Sequence, residues 1–163
     1  MELLEDGGAV DLLLAPVGGG GLLSGTAVAA TARSGVRVIG CEPEGADDAQ
    51  RSLAPGRRVL TQTPDTICDG LRTVLGQLPF EILTALDVES VTVTDEEVRV
   101  AMLFLMERMK LVVEPSGAVV VAALMTGKVQ SKGLRVGAIL SGGNVDLRDW
   151  ALGFGGVARP RRL

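Results

Sequence analysis

The amino-acid sequence predicts an α/β protein with three layers, in which a mainly parallel β-sheet lies between two layers of helices. Apolar runs of strand length alternate with stretches of helix length along most of the chain. These runs are largely uninterrupted by polar residues, which is typical of parallel strands that are buried on both faces. In sheets of this kind ligands bind beyond the carboxyl ends of the strands, so the residues there are the candidates for function.

The first elements form a predicted βαβ unit. Residues 10–15 and 36–41 have the composition of buried strands, and the alanine-rich residues 22–34 have that of the connecting helix. We expect the two strands to be parallel and the crossover to be right-handed. Before this unit, residues 1–6 resemble the end of a helix that stops at Gly7 and Gly8, because glycine readily adopts the left-handed conformation of a helix cap.

Helices and strands continue to alternate as far as residue 140. The helix that follows Thr94 has the clearest beginning, because Thr94 and Glu97 stand at the spacing of a capping box. The passage at 55–76 contains proline and glycine and is predicted to be irregular. The remaining predicted elements are helices at 46–53, 79–86 and 115–125 and strands at 90–93 and 135–140.

Length and composition indicate one soluble domain. With 163 residues, of which 47% are hydrophobic, the chain can bury one substantial core, which we place at residues 1–150, followed by a tail at 151–163. The net charge of −4 comes from interspersed charges, which argues against a nucleic-acid or membrane partner. No apolar run is long enough to span a bilayer, and the acidic N-terminus is unlike a signal peptide, so we expect a cytoplasmic protein.

Residue types that are absent or rare exclude some kinds of site. The sequence has no histidine and no C-x-x-C pair, so a His-based catalytic triad and a typical zinc site are excluded. Its two cysteines, Cys41 and Cys68, are expected to be reduced thiols.

Four consecutive glycines, Gly18, Gly19, Gly20 and Gly21, lie between the first predicted strand and the first predicted helix. Without Cβ atoms the backbone can approach a ligand closely, and several N–H groups can point at one oxyanion. The helix that follows directs the positive end of its dipole at the same place. This pattern predicts a phosphate site, although a tight turn that needs positive φ angles would require glycine as well.

Two further loops with polar side chains follow predicted strands. The second strand is followed by Glu42 and Asp48, whose carboxylates and an intervening backbone carbonyl offer the all-oxygen ligation that suits magnesium or calcium. The same acids would also complement the dipole of a helix N-terminus. The last strand is followed by Ser141 to Asn144, and we expect all three loops to converge at one edge of the sheet.

Five motifs resemble those of one enzyme family and occur in the family's order. They are PVGGGGL at 16–22, EP at 42–43 with ADD at 46–48, TICDGL at 66–71, ERMK at 107–110 with EPSGA at 114–118, and SGGNVD at 141–146. This order is similar to that in serine/threonine dehydratases (threonine ammonia-lyases) and serine racemases, which are pyridoxal-phosphate enzymes of the tryptophan synthase β-like fold type. The resemblance covers residues 9–147 and implies the large-domain part of that fold.

The resemblance implies a role for each matching residue. Gly18 to Gly21 and the backbone of Leu22 would hold the cofactor phosphate, and Ser141 would face the pyridine nitrogen. A neutral hydroxyl makes the ring a weaker electron sink than a carboxylate does, which suits β-elimination. The other implied positions are Gly70 and Glu114 near the ring, and Glu42, the carbonyl of Ala46 and Asp48 at the divalent-cation site of some members, taking magnesium or calcium.

One departure from the family pattern concerns catalysis. The family's Schiff-base lysine lies ahead of the glycine loop in a Ser-x-Lys-x-Arg-Gly context, and this sequence has no such motif. Its lysines are Lys110, Lys128 and Lys132, all far downstream, so we assign no catalytic residue. The resemblance therefore implies a fragment or truncated form that is inactive alone. The complete enzyme would be a homodimer that deaminates serine or threonine to a 2-oxo acid and ammonia, or racemises serine.

Two alternatives from other functional classes remain open at this point. One is a Rossmann-type nucleotide-binding module, because Glu42 ends the second strand about 20 residues after the glycine loop, where a ribose-binding acid is expected. Against it, no G-x-G-x-x-G register fits, since Ser24 occupies the third glycine position when the motif begins at Gly19. The other alternative is a non-catalytic regulatory subunit that retains the scaffold.

Overall fold

The computed structural model of the chain describes residues 5–6, 8–33 and 35–146, and its described residues contain one parallel sheet. The strands are β1 (Leu12–Pro16), β2 (Arg37–Pro43), β3 (Glu89–Val93) and β4 (Val136–Ala138), in the order β3-β2-β1-β4. Every neighbouring pair is parallel. The predicted α/β class is therefore confirmed, with strand bounds that differ from the predicted ones by one or two residues.

Five helices accompany the sheet in the described part of the chain. The predicted bounds of the 115–125 helix are confirmed, whereas the 46–53 helix begins two residues later than predicted because Glu44–Ala46 form a 3-10 turn. The predicted irregular passage is also confirmed, apart from a 3-10 turn at Asp69–Leu71. The helices are α1 (Gly21–Ala30), α2 (Asp48–Leu53), α3 (Gln77–Ala85), α4 (Asp95–Phe104), which continues into a π-helical turn at Leu105–Met109, and α5 (Pro115–Met125).

The predictions for the two chain ends fall largely outside the described residues. Glu5 and Asp6 are helical, while the rest of the helix predicted at 1–6 lies outside the described range. The boundary predicted at residue 150 and the tail at 151–163 lie outside it as well.

The core is divided between the two faces of the sheet. Alternate β1 residues point to opposite sides, so Leu12 and Leu14 join the large core cluster formed with α4 and α5. Ala15 joins a second cluster that contains Leu23 of α1 and Leu83 of α3. Every residue of β1 is buried. Burial on both sides explains the continuous apolar run at this strand and gives the predicted three layers.

The beginning of α4 has the predicted capping box. The Thr94 hydroxyl accepts a hydrogen bond from the Glu97 N–H at 3.1 Å, and the Glu97 carboxylate accepts one from the Thr94 N–H at 2.7 Å. Asp95 extends this anchoring, since its carboxylate accepts hydrogen bonds from the Thr66 hydroxyl at 2.5 Å and the Ile67 N–H at 2.9 Å. The N-terminus of α4 therefore holds the segment of chain that leads into the turn at Asp69–Leu71.

No helix in the described part of the chain has both the length and the apolar character needed to cross a bilayer. The two cysteines, Cys41 and Cys68, are buried free thiols. Burial raises the pKa of both, to about 12 for Cys68, so they are poor nucleophiles at neutral pH.

Replacing Thr94 with alanine should lower the free energy of unfolding by about 1 kcal/mol, because the substitution removes one half of the capping box. Urea titration followed by circular dichroism measures this change. Thr84→Ala is the matched control, since Thr84 is an exposed threonine within α3, and this substitution should alter stability by less than about 0.5 kcal/mol. Equal effects of the two substitutions would show that the capping box contributes nothing.

Candidate cofactor-binding site

The glycine loop leaves the carboxyl end of β1 and forms the beginning of α1. Gly20 is the residue before the helix and has a φ of +89°, in the left-handed region. A Cβ atom at Gly20 would overlap Cδ1 of Leu75 and lie 2.7 Å from Cβ of Pro79. This position therefore requires glycine for the turn itself, which is the alternative explanation that the sequence allowed.

Gly21 is different, because a Cβ atom there would meet no atom within 4 Å. It is the first residue of α1, and no side chain caps that helix. The first backbone N–H groups of a helix have no partner within the helix, so at α1 they are available to a ligand. The first turn also carries no acidic residue, whereas that of α4 carries Asp95, Glu96 and Glu97. The N-terminus of α1 thus fits a phosphate in both hydrogen bonding and charge.

The other predicted ring-binding residues lie next to this loop through a chain of close contacts. A Cβ atom at Gly18 would lie 3.1 Å from Cα of Leu71 and 3.3 Å from the Gly70 carbonyl oxygen. The Gly70 N–H donates a hydrogen bond to the Ser116 hydroxyl at 3.0 Å, which joins the turn at Asp69–Leu71 to the first turn of α5. The glycine loop, the Gly70 turn and the N-terminus of α5 are therefore neighbours.

Glu114 joins α5 to the loop that follows β4. Its N–H donates a hydrogen bond to the Gly142 carbonyl at 3.1 Å, and its carboxylate accepts one from the Asn144 N–H at 2.9 Å. A Cβ atom at Gly142 would lie 2.5 Å from the Glu114 carboxylate, so glycine permits this close approach. Ser141, next in sequence to Gly142, is exposed. The predicted convergence of the loops after β1 and β4 is thus confirmed, and Glu114 holds the second loop in place.

The acidic residues after β2 lie at the same edge but have partners within the protein. Glu42 is fully buried, and its carboxylate accepts hydrogen bonds from the N–H groups of Ala49 at 3.1 Å and Gln50 at 2.6 Å. It also accepts one from the Ser90 hydroxyl at 2.9 Å. Ala49 and Gln50 belong to the first turn of α2. Glu42 therefore caps this helix from the neighbouring strand, which is the second explanation that the sequence left open.

Asp48 has partners of the same kind. Its carboxylate oxygens accept hydrogen bonds from the Gln62 amide at 2.7 Å and from the Leu75 N–H at 2.6 Å. Burial raises the pKa of Glu42 to about 8 and raises that of Asp48 as well, against the opposing effect of these hydrogen bonds.

The carboxylate oxygens of Glu42 and Asp48 all accept hydrogen bonds from the protein. Among the described residues there is no group of three or more histidine, cysteine, aspartate or glutamate side chains that could hold a metal ion. The structure therefore gives no support for the expected cation at Glu42, Ala46 and Asp48, because the two carboxylates have partners within the protein.

Asp48 also links the acidic segment to the glycine loop. The Leu75 N–H donates a hydrogen bond to the Asp48 carboxylate. The N–H of the next residue, Gly76, donates one to the Gly19 carbonyl at 3.1 Å. No sequence pattern indicated this connection, or the position of Thr73, whose hydroxyl lies 3.3 Å from the Cβ position of Gly18. Residues 72–76 lack the periodicity of a helix or strand and lie outside the family motifs, so their role was visible only in three dimensions.

A helix N-terminus preceded by glycines at the carboxyl edge of a parallel sheet is typical of α/β proteins that bind phosphate groups. The family model described as "Pyridoxal-phosphate dependent enzyme" matches residues 1–142, and the chain belongs to this family.

Curated relatives show which enzymes of the family are similar to this chain. L-threo-3-hydroxyaspartate ammonia-lyase of Saccharomyces cerevisiae is 46% identical over 152 residues, which cover 92% of this chain and 47% of the yeast protein. Serine racemase of Dictyostelium discoideum is 42% identical over 152 residues, which cover 90% of this chain and 47% of the racemase. The chain thus spans about half the length of the curated relatives it matches.

Solved structures agree with the family and with the fold. The T.th. threonine deaminase superimposes with a TM-score of 0.80 at 43% identity, covering 89% of this chain and 54% of the deaminase. Maize serine racemase superimposes with a TM-score of 0.84 at 36% identity, covering 94% of this chain and 48% of the racemase. The expected tryptophan synthase β-like fold is therefore confirmed.

Two neighbouring glycines should respond differently to the same substitution. Gly20→Ala should lower the free energy of unfolding by about 2 kcal/mol or more, because alanine is strained at positive φ and its Cβ would overlap Leu75 and Pro79. Gly21→Ala should leave stability unchanged or raise it by up to about 1 kcal/mol, because it removes backbone freedom without a clash. Thermal and urea unfolding of the two variants provide the comparison. A destabilised Gly21→Ala protein would contradict the open space at this position.

Proposed function

We propose that this chain forms the part of a pyridoxal-phosphate enzyme that holds the phosphate and the ring of the cofactor. The observation that carries the proposal is the uncapped N-terminus of α1, preceded by glycines and free of acidic residues in its first turn. The N–H groups of Gly21 and Leu22, with the backbone of Gly18 to Gly20, would hold the phosphate. Binding of a dianion there offsets the unpaired donors and the positive helix end.

The Gly70 turn and the loop after β4, which α5 connects, would hold the ring of the cofactor. Bound pyridoxal phosphate supplies the electron sink that makes loss of the α-proton from an amino acid feasible. Ser141 would be the partner of the pyridine nitrogen, and its neutral hydroxyl would keep the ring a moderate electron acceptor, which suits β-elimination. Glu114 holds the loop that carries Ser141 by its bonds to Gly142 and Asn144.

The reaction of the complete enzyme is elimination of the β-substituent of a serine-like or threonine-like amino acid, giving a 2-oxo acid and ammonia, or racemisation of serine. Ammonia-lyases and racemases among the relatives support this choice. We further propose that the complete enzyme is a cytoplasmic homodimer. A divalent cation at Glu42 and Asp48 is not part of the proposal, because the protein already supplies donors to their carboxylate oxygens.

The three lysines of this chain are unsuited to act as the acid-base group of that reaction. Lys128 is ion-paired with Glu97 at 2.7 Å and Glu44 at 3.5 Å. Lys110 is exposed and donates a hydrogen bond to the Glu107 carbonyl at 2.8 Å, and Lys132 is exposed. A lysine outside this sequence would have to carry the cofactor, so we propose that the chain is a portion of the enzyme and inactive alone.

The nucleotide-binding alternative lacks the acid that it needs. A Rossmann-type site requires a carboxylate that is free to accept hydrogen bonds from ribose hydroxyls. Glu42 is fully buried and already accepts three hydrogen bonds from the protein.

A carboxylate introduced at Gly21 should lower the affinity for phosphate without lowering the stability of the fold. Gly21→Asp has open space for its side chain and places an acid where a helix dipole favours one, so the fold should be retained or slightly stabilised. Affinity for pyridoxal phosphate should fall at least about tenfold, because the new charge repels the phosphate. Equilibrium dialysis at neutral pH measures the affinity, with pyridoxal, which lacks the phosphate, as the comparison ligand.

Gly25→Asp is the matched control, because it adds the same charge one turn further along α1, again with no atom within 4 Å of the new Cβ. It should change the affinity for pyridoxal phosphate far less than Gly21→Asp does. Equal binding of pyridoxal and pyridoxal phosphate, or a nucleotide that stabilises the fold while pyridoxal phosphate does not, would overturn the proposed function.

The isolated chain mixed with pyridoxal phosphate and either serine or threonine should release no 2-oxo acid above the background of free cofactor. The physical reason is that Lys128 is held by ion pairs with two carboxylates and Lys110 donates a hydrogen bond to the Glu107 carbonyl. A coupled assay for 2-oxo acids measures the rate. Turnover that disappears on replacing Lys110, Lys128 or Lys132 would show that one of these residues performs the missing role.

A further inference from the structure

A cleft lined by basic side chains lies after α2 and shares no lining residue with the glycine loop. Residues 55–61 fold back against α2, and together they form an open cleft of about 760 Å³. Three arginines, Arg51, Arg57 and Arg58, line it together with the apolar side chains of Pro55, Val59 and Leu60. Among the described residues no acidic side chain lines this cleft, although the chain as a whole carries a net charge of −4.

Ser52, which is fully buried, anchors the backbone that forms the cleft. The Ser52 carbonyl accepts a hydrogen bond from the Arg57 N–H at 2.9 Å, and its hydroxyl accepts one from the Val59 N–H at 2.9 Å. The same hydroxyl donates to the Asp48 carbonyl at 2.5 Å. The backbone that carries Arg57 and Arg58 is therefore tied to α2 at two points.

The guanidinium groups retain unused donors. Arg58 donates from Nη1 to the Leu75 carbonyl at 2.9 Å, while its Nε is buried and has no hydrogen-bond partner among the described residues. Arg51 uses its Nε to bind Asp47 at 2.7 Å, and the structure gives no partner within the described ranges for its Nη atoms. Arg57 is exposed, and no bond from its guanidinium to a described residue is recorded.

We propose that this arginine cleft binds the phosphate group of a small molecule. Guanidinium groups present planar pairs of donors that match phosphate oxygens. Arg51 is already paired with Asp47, whereas Arg57 and Arg58 have no acidic partner among the described residues, and a bound dianion would neutralise their charges. The apolar wall of Pro55, Val59 and Leu60 lies beside the arginines and offers a surface for the organic part of the ligand.

Isothermal titration calorimetry with two probes, inorganic pyrophosphate and phenyl phosphate, tests the proposal at one constant ionic strength close to the physiological value. The titrations use the Gly21→Asp protein, in which the glycine loop is blocked, as well as the unmodified chain. This background keeps the test independent of the proposed function, which is judged by pyridoxal phosphate alone. One site per chain should remain when Gly21 is replaced.

Arg57→Ala and Arg51→Ala should each weaken binding about tenfold or more, because each removes a charge-assisted contact. Arg57→Lys keeps the charge without the paired donors and should give a smaller loss. Arg33→Ala, which removes an exposed arginine outside this cleft, should leave the affinity unchanged. Tighter binding of phenyl phosphate than of pyrophosphate would show that the apolar wall contributes and that the ligand is an organic phosphate. Equal binding of the two probes would show that the cleft recognises only the phosphate group. Absence of binding, or equal losses with Arg57→Ala and Arg33→Ala, would overturn the proposal.

Discussion

The packing of the glycine loop against residues 70–76 is the constraint on which the rest of the site depends. Gly18 lies against the backbone of Gly70 and Leu71, and Gly20 against the side chain of Leu75. The Gly76 N–H closes the contact by donating to the Gly19 carbonyl. Side chains at Gly18 or Gly20 would separate the two segments, and the N-terminus of α1 would lose its position at the edge of the sheet. The glycines therefore serve the fold and the candidate phosphate site at once.

Both sides of the site are attached to this contact. On one side, Gly70 is bonded to Ser116, so the turn at Asp69–Leu71 positions α5, and Glu114 in turn holds the loop after β4. On the other side, Leu75 is bonded to Asp48 and Arg58, which belong to the acidic segment and the arginine cleft. The irregular passage between α2 and α3 is thus the connection between elements that the sheet alone would leave apart.

The helix N-termini of the fold differ in the acids and side-chain caps that they carry. Acids complement the N-terminus of α4, and Glu42 caps α2 from a neighbouring strand by accepting hydrogen bonds from two of its first N–H groups. The N-terminus of α1 has neither an acid in its first turn nor a side-chain cap. The N-termini of α3 and α5 also lack a side-chain cap and an acid in the first turn, so α1 is set apart by the run of glycines before it and the open space at Gly21. That difference supports a ligand-binding role at α1 and a structural role at α2.

The sequence by itself determined the class of fold, the order of its elements and the family. Apolar runs such as residues 10–15 predicted buried strands because burial on both faces demands them, and the spacing of Thr94 and Glu97 predicted a helix boundary because the capping box is local. Tertiary structure decided what depends on distant residues. The side chain of Glu42 accepts hydrogen bonds from α2, and Leu75 and Gly76 join Asp48 to the glycine loop, through bonds that span between 7 and 57 positions of the chain. A sequence pattern records what neighbours along the chain require, but not which donor will meet a buried oxygen after the chain has folded.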